Sequence, residues 1–283
     1  MNTVLITGSS TGIGRAAVEY FHAMGWQVAA SMRHPQAEKE LTQLAQVWCL
    51  RLDVEDETSI EAAVKEIIAR WKRIDVVVNN AGFGSVGPFE AATPQQIQKQ
   101  FSVNVFGTMN VIRTVLPHFR EKKSGMFINV AAVGGRMAWP LQSLYHGSKW
   151  AIEGFSESLH YELKPLGISV KLVEPGATQT DFFGRSQAYI ENKTLTDYTT
   201  YVNLCMPNLQ QLGAFAPGPE QVANTIYRAA TDGTDRLRYV VGSDAARWMR
   251  LRRWLPASWF SRLVRKQAER QEDRLSRYRK EAG

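Results

Sequence analysis

The strongest constraint on the fold lies near the start of the chain. Thr3-Val4-Leu5-Ile6-Thr7 is a short, β-rich apolar run, followed by Gly8-Ser9-Ser10-Thr11-Gly12-Ile13-Gly14. Apolar Ala16, Ala17, Val18, Phe21 and Met24 then recur at helical spacing. Strand, glycine turn, helix is the context in which a glycine motif becomes a dinucleotide-binding hypothesis. Gly8, Gly12 and Gly14 would let the backbone turn sharply and approach a pyrophosphate, held at the helix N-terminus, with Ile13 in the same turn. A plain strand-to-helix turn is the competing reading, and the rest of the chain decides between them.

Apolar β-type runs alternate with helical patterns from this point on. Strands are expected at 3–7, 27–31, 47–52, 74–79, 126–130, 168–173 and 237–241. Helices are expected at 12–24, 36–46, 56–72, from Pro94 towards Arg120 with interruptions, from the Tyr145 region to Leu163, and at 220–231. Val76-Val77-Val78 suits a strand buried on both faces. The alternation predicts an α/β fold of Rossmann type: a doubly wound, parallel, seven-stranded sheet with helices on both faces. Ligands in such sheets sit beyond the carboxyl ends of the strands, and every chemical motif of this chain falls just after an expected strand. Residues 181–219 break the pattern. They are polar and aromatic, end in Pro217-Gly218-Pro219, and read as a substrate-covering excursion with short helices. One catalytic domain therefore spans 1–243, and 244–283 is a basic, amphipathic, helical extension.

Tyr145 and Lys149 are four residues apart, which on a helix puts them on one face a turn apart. A tyrosine is a poor acid or base near neutrality, and a nearby ammonium stabilises its phenolate. Tyr-x-x-x-Lys is thus a proton-transfer device, although a solvated helix face carries the same spacing. Thr7-Gly8-x-x-x-Gly12-Ile13-Gly14 together with this pair closely resembles the short-chain dehydrogenase/reductase family over roughly residues 2–242, and the segment from Val133 to Gly154 looks most like its NADP-preferring hydroxysteroid and retinol dehydrogenase branch. The resemblance implies that Tyr145 transfers the proton and that Lys149 tunes it and reaches the nicotinamide ribose. It also implies that Asn104, in Asn104-Val105-Phe106-Gly107, supports a helix distortion and a proton-relay water. One position departs from the family: the usual substrate-binding serine, thirteen residues before the tyrosine, is Ala132. A methyl group donates no hydrogen bond, so the departure touches catalysis and leaves the fold alone.

The remaining cofactor motifs follow the other strands. No Asp or Glu lies between Gln27 and Ala37, whereas Arg33 ends the second strand and Ser10 can assist it. An acid there would select NAD, and an arginine accommodates a 2′-phosphate, so NADP(H) is preferred over NAD(H). Arg33 reads otherwise as a solvated loop residue. By resemblance Asp53 and Val54 lie near the adenine, and Asn80-Ala81-Gly82 packs backbone against the cofactor. Pro175, Gly176, Thr178 and Thr180 resemble the segment that flanks the nicotinamide. Thr180 also reads as a helix N-cap.

Phe83, Met137, Trp139 and Leu141 are bulky and apolar; they line a substrate pocket or belong to the core. As a pocket they suit a lipophilic carbonyl or alcohol. Ser143 is a substitute donor for substrate oxygen or a cap of the Tyr145 helix. His146 should face away from Tyr145, as packing or surface. No His–carboxylate cluster suggests a metal. Cys49 and Cys205 are far apart, which argues for a reducing compartment and no disulfide framework. No stretch is long and apolar enough to span a membrane, and the first expected strand leaves no room for a signal peptide, so a cytoplasmic protein is expected. Asp244–Gly283 carries the whole net charge of +7, and the rest of the chain is balanced. Basic residues interleaved with Trp, Phe and Leu suit an interfacial helix on anionic lipid, or an extension packed on the body or on another subunit. Nucleic acid is not expected, since no recognition motif accompanies the charge. By resemblance, the long helices form homodimer or homotetramer interfaces.

Overall fold

The computed structural model describes residues 1–180, 187–214 and 216–270. Its main sheet has seven parallel strands: β1 (Thr3–Thr7), β2 (Gln27–Met32), β3 (Val47–Arg51), β4 (Val76–Asn79), β6 (Gly125–Val130), β7 (Ile168–Pro175) and β9 (Arg238–Val241). Two further short strands, β5 (Gly84–Val86) and β8 (Gln187–Tyr189), pair parallel to each other in a second sheet. The main sheet runs β3-β2-β1-β4-β6-β7-β9. Its order reverses between β1 and β4, and that switch point opens a crevice at the carboxyl ends.

Side-chain alternation assigns each strand residue to a layer. Val4 and Ile6 face a core that α1 (Gly12–Ala23) and α7 (Glu220–Thr231) cover with Ala16, Ala17, Phe21, Val222 and Ile226. Leu5 and Val77 face the opposite core, closed by α2 (Glu57–Trp71), α4 (Thr108–Lys122) and α5 (Ser143–Leu163) through Ile60, Val64, Val115 and Leu159. Asp56 caps α2, its carboxylate accepting from the Ser59 amide, and Thr93 and Gln96 form a reciprocal capping box on α3 (Pro94–Phe101).

Two expectations change, and a third takes a specific form. Residues 36–46 form two short 3₁₀ turns, Pro35–Ala37 and Leu41–Gln43, and no α-helix. Glu38 explains this: its carboxylate accepts from the amides of Glu40 and Leu41 and pairs with Arg15 at 2.9 Å, holding the segment as a loop folded onto α1. The helix begun at Pro94 is interrupted, as expected, by one specific device. A π-helical turn at Ser102–Gly107 separates α3 from α4. The excursion carries a longer helix than expected, α6 (Thr199–Ala214), which tolerates Pro207 inside it. Residues 181–186 of that excursion, and with them any helix that Thr180 would cap, lie outside the described residues.

The basic segment forms a helical hairpin, α8 (Ser243–Trp254) and α9 (Ala257–Ala268), hinged at Pro256. It packs on the body. Met249, Phe260 and Val264 join Met137 in one apolar cluster that Trp139 and Trp248 border. No helix among the described residues is long and apolar enough to cross a membrane.

Candidate active site

A cavity of about 1250 Å³ opens at the carboxyl ends of the strands. Its first wall is the glycine turn. Gly8 and Gly12 adopt positive φ, +67° and +55°, which side chains resist. Gly14 acts differently: it does not line the cavity, and a Cβ there would collide with the Gly8 carbonyl oxygen and the Asn80 amide. It permits close packing of α1 against the turn. The Thr11 side chain does not cap α1, so the first-turn N–H groups have no side-chain acceptor, and Thr11, Gly12 and Ile13 line the cavity. A helix N-terminus presented in this way suits a phosphate. Asn80 fastens the turn to the β4 loop, its Nδ2 donating to the Thr7 and Gly8 carbonyls at 2.9 and 3.1 Å. The Thr7 hydroxyl accepts from the Asn80 and Ala81 amides.

Arg33 is exposed at the end of β2 and lines the cavity with Ser10, and it has no ion-pair partner among the described residues. Asp53, Val54, Asn80, Ala81 and Gly82 line it next, then Pro175, Gly176, Thr178 and Thr180 on the far side. The Thr178 hydroxyl donates to the Gly176 carbonyl at 3.3 Å. Uncapped helix donors at the glycine turn and a guanidinium without an ion-pair partner among the described residues form a donor set that fits the phosphates of a dinucleotide.

The second wall carries the proton chemistry. Tyr145 and Lys149 both line the cavity from the first turns of α5, and the Lys149 ammonium lies 6.0 Å from the Tyr145 ring centroid. Lys149 Nζ donates to the Val130 carbonyl at 2.8 Å, which ties the helix to the end of β6. Burial pushes the Lys149 pKa down to about 8, opposed by the carboxylate of Glu153 one turn on. Burial raises the Tyr145 pKa above its ordinary value. In this environment desolvation of the phenolate sets the direction of the Tyr145 shift. Ala132 lines the same cavity, 8% exposed, in extended backbone at the end of β6.

Asn104 sits in the π turn, behind the cavity-lining residues Gly82 and Phe83 and not among the lining residues itself. Its Oδ1 accepts from the Phe83 amide at 3.0 Å, and its Nδ2 donates to the Phe83 carbonyl at 2.9 Å and to Ser148 Oγ at 3.0 Å. The π turn gives this amide room to bind two neighbouring elements at once.

The apolar end of the cavity is formed by Phe83, Met137, Trp139, Leu209 and Trp248. Two expected substrate residues fall outside it. Leu141 adopts φ +63° and turns its carbonyl to the Gly87 amide at 2.7 Å; Ser143 is exposed as the first residue of α5, whose N-cap is Gln142. Ser143 makes no side-chain cap either.

Sequence reasoning missed three parts of the site. The α8–α9 hairpin closes the cavity with Trp248 and Ala268, and no local pattern announces that contact, whereas Cys205 and Leu209 of α6 come from the excursion expected to cover substrate. His146 is buried and braces the site. Its Nδ1 meets the Gly134 carbonyl at 2.8 Å and its Nε2 accepts from the Trp139 amide at 3.0 Å. Behind Lys149, Glu153 and Glu174 are buried together. Arg238 Nε donates to Glu153 at 2.9 Å, and Arg136 reaches Glu174 at 3.2 Å. Burial raises both pKa values, and the charge of Glu174 adds to that of Glu153, which rises to about 7. The spacing of Tyr145, Lys149 and Glu153 at four-residue steps is the one signal that could have shown it.

Among the described residues no group of three or more His, Cys, Asp or Glu side chains is placed to hold a metal. The family profile of the short chain dehydrogenases matches residues 2–190. An uncharacterized oxidoreductase of Schizosaccharomyces pombe is 41% identical over 239 residues, covering 83% of this chain and 99% of that protein. A 3-ketodihydrosphingosine reductase of Bacteroides thetaiotaomicron is 38% identical over 179 residues, 63% of this chain and 65% of that one. A solved short-chain dehydrogenase from Streptomyces avermitilis superposes with a TM-score of 0.81 at 32% identity, covering 94% of this chain and 95% of that chain. With its glycine turn, its Tyr145–Lys149 pair and a doubly wound sheet joining them, this chain belongs to the short-chain dehydrogenase/reductase family.

Proposed function

We propose that the chain is an NADP(H)-dependent oxidoreductase that interconverts a carbonyl group and a secondary alcohol on a lipophilic small molecule. One observation carries this reading: the half-buried Tyr145, the buried Lys149 and the uncapped glycine turn line a single cavity. The nicotinamide, when bound, supplies or accepts the hydride at its C4. Tyr145 gives its proton to the substrate oxygen in reduction and takes it back in oxidation. Its raised pKa keeps it protonated at neutral pH, the form that reduction needs. Lys149, held by the Val130 carbonyl, is mostly cationic at pH 7 and steadies the phenolate as it forms. The family resemblance also assigns it a contact with the nicotinamide ribose.

Arg33 supports a 2′-phosphate and hence NADP(H), with no acid near the end of β2 to favour the 2′-hydroxyl of NAD(H). Arg33→Ala is expected to weaken NADPH binding by about tenfold while leaving NADH binding nearly unchanged, measured by cofactor fluorescence. The apolar end of the cavity supports a lipophilic substrate, and the relative named as a 3-ketodihydrosphingosine reductase supports a keto-lipid. Exposed Phe106 and Trp150, on the π turn and on α5, support a homodimer or homotetramer joined through those helices; light scattering after gel filtration reports it. The unpaired thiols of Cys49 and Cys205 support a cytoplasmic location.

Ala132 favours a second reading, an NADP(H)-binding protein with little turnover. The deciding experiment is NADPH oxidation against lipophilic ketones and aldehydes by this chain, by Ala132→Ser and by Tyr145→Phe. A missing oxygen-binding donor commonly costs a factor on the order of 10²–10³ in rate, so serine should restore about that much and phenylalanine should abolish turnover. Tight NADPH binding with no turnover from either the parent or the serine variant would establish the binding-protein reading instead.

A further inference from the structure

The inner face of the α8–α9 hairpin is spent on the body: Met249, Phe260 and Val264 are buried, and Asn208 Nδ2 donates to the Ala268 carbonyl at 2.7 Å. The outer face is aromatic and basic. Trp254 and Trp259 bracket the Pro256 hinge and are 77% and 62% exposed. Arg247, Arg250, Arg253, Arg262 and Lys266 are exposed on the same two helices. None of these five has an acidic partner among the described residues. Across 243–270 there are eight basic and two acidic residues, and one of the two acids, Glu269, already pairs with Arg265.

Two exposed tryptophans at the tip of a hairpin, set among unpaired arginines, ask for a partner that is apolar in its interior and negative at its surface. We propose that this outer face docks on an anionic lipid bilayer, with Trp254 and Trp259 entering the headgroup boundary and the arginines pairing with lipid phosphates. Indole rings prefer that boundary, and basic side chains near an anionic leaflet are attracted to it. A second copy of the chain is a poor occupant. A two-fold interface would set this face against itself and bring its unpaired cations together. The helices themselves are only about 10 Å thick, so a docked bilayer would lie one helix away from the cavity that their inner face closes. The proposal stands apart from the catalytic reading, since it needs no turnover.

The test uses the full chain. It is sedimented with vesicles of phosphatidylcholine and with vesicles of phosphatidylcholine mixed with phosphatidylglycerol, at low and high salt. Binding at least about tenfold tighter to the anionic vesicles, weakened by salt, is expected. A Trp254→Ala/Trp259→Ala variant should lose about tenfold of that affinity, and an Arg250→Glu/Arg253→Glu/Arg262→Glu variant should lose binding altogether. These side chains are exposed, so both variants should keep the parent's circular dichroism and melting temperature. An unfolded variant is replaced by quenching of the parent's tryptophan fluorescence with brominated lipid, which docking requires. Failure to bind anionic vesicles, equal binding to neutral ones, or binding unchanged in both folded variants would overturn the proposal. So would tighter retention by double-stranded DNA than by vesicles, or a tryptophan-dependent dimer in solution.

Discussion

His146 is a neutral imidazole built into the wall of the site. Its two ring nitrogens are committed, Nδ1–H to the Gly134 carbonyl and the Nε2 lone pair to the Trp139 amide, so a second proton has nowhere to go without breaking the latter bond. Burial accordingly brings its pKa down to about 4 from the ordinary 6.5. The unfolded chain then binds more protons than the folded one between those values, and this residue costs stability as pH falls from 6.5 towards 4. The full loss is about 3 kcal/mol. Glu153, with its pKa raised to about 7, works the other way: it loses stability as pH rises from 4.5 to 7. The two slopes overlap, so the prediction is a difference. Relative to the parent, His146→Gln should lose less melting temperature between pH 6.5 and 4. Lys149 supplies a second prediction. Its ammonium is lost as pH passes about 8, so the reductive kcat/KM should fall above that pH, a limb that Lys149→Arg would move upward.

The elements that position chemistry were the ones most legible in the chain, because each motif announces itself locally. A glycine at positive φ, a Tyr and Lys one turn apart, and a valine run buried on both faces need no knowledge of distant residues. Segment 36–46 misled because its polar pattern contains no statement of where Arg15 will reach. Strand β5 was invisible for a related reason: Gly84-Ser85-Val86 has no period of its own and becomes a strand only beside Gln187–Tyr189. The π turn lay between these cases, since the interruption was expected and its geometry was not. Its energetic role can be tested. Asn104→Leu removes three hydrogen bonds and strands the Phe83 amide, while the Phe83 carbonyl keeps Gln100 and the Ser148 hydroxyl keeps the Tyr145 carbonyl, for a loss of about 1–3 kcal/mol. Urea unfolding should report that loss, and Asn104→Asp should recover part of it through the bond to the Phe83 amide.

At the scale of the molecule, the cavity is shared between the sheet and the basic hairpin. Trp248 contacts the Trp139 ring at 5.4 Å and the Phe260 ring at 5.9 Å, and it lines the cavity as well. Trp248→Ala should cost about 3–5 kcal/mol of stability and raise KM for long apolar substrates more than it changes NADPH affinity. Differential scanning calorimetry and steady-state kinetics check the two halves of that statement. The small β5–β8 pair has a kinetic counterpart. It joins Ser85 to Ala188 across 103 residues, a longer reach than any strand pairing of the main sheet among the described residues, and only three residues on each side hold it. Closing a loop of that length costs about 4 kcal/mol in chain entropy beyond the constant part, repaid only after the sheet has drawn the ends together. The β8 segment should therefore be among the last parts of the protein to acquire its native register and among the first to lose it, with amides that exchange with solvent long before those of β1 and β4.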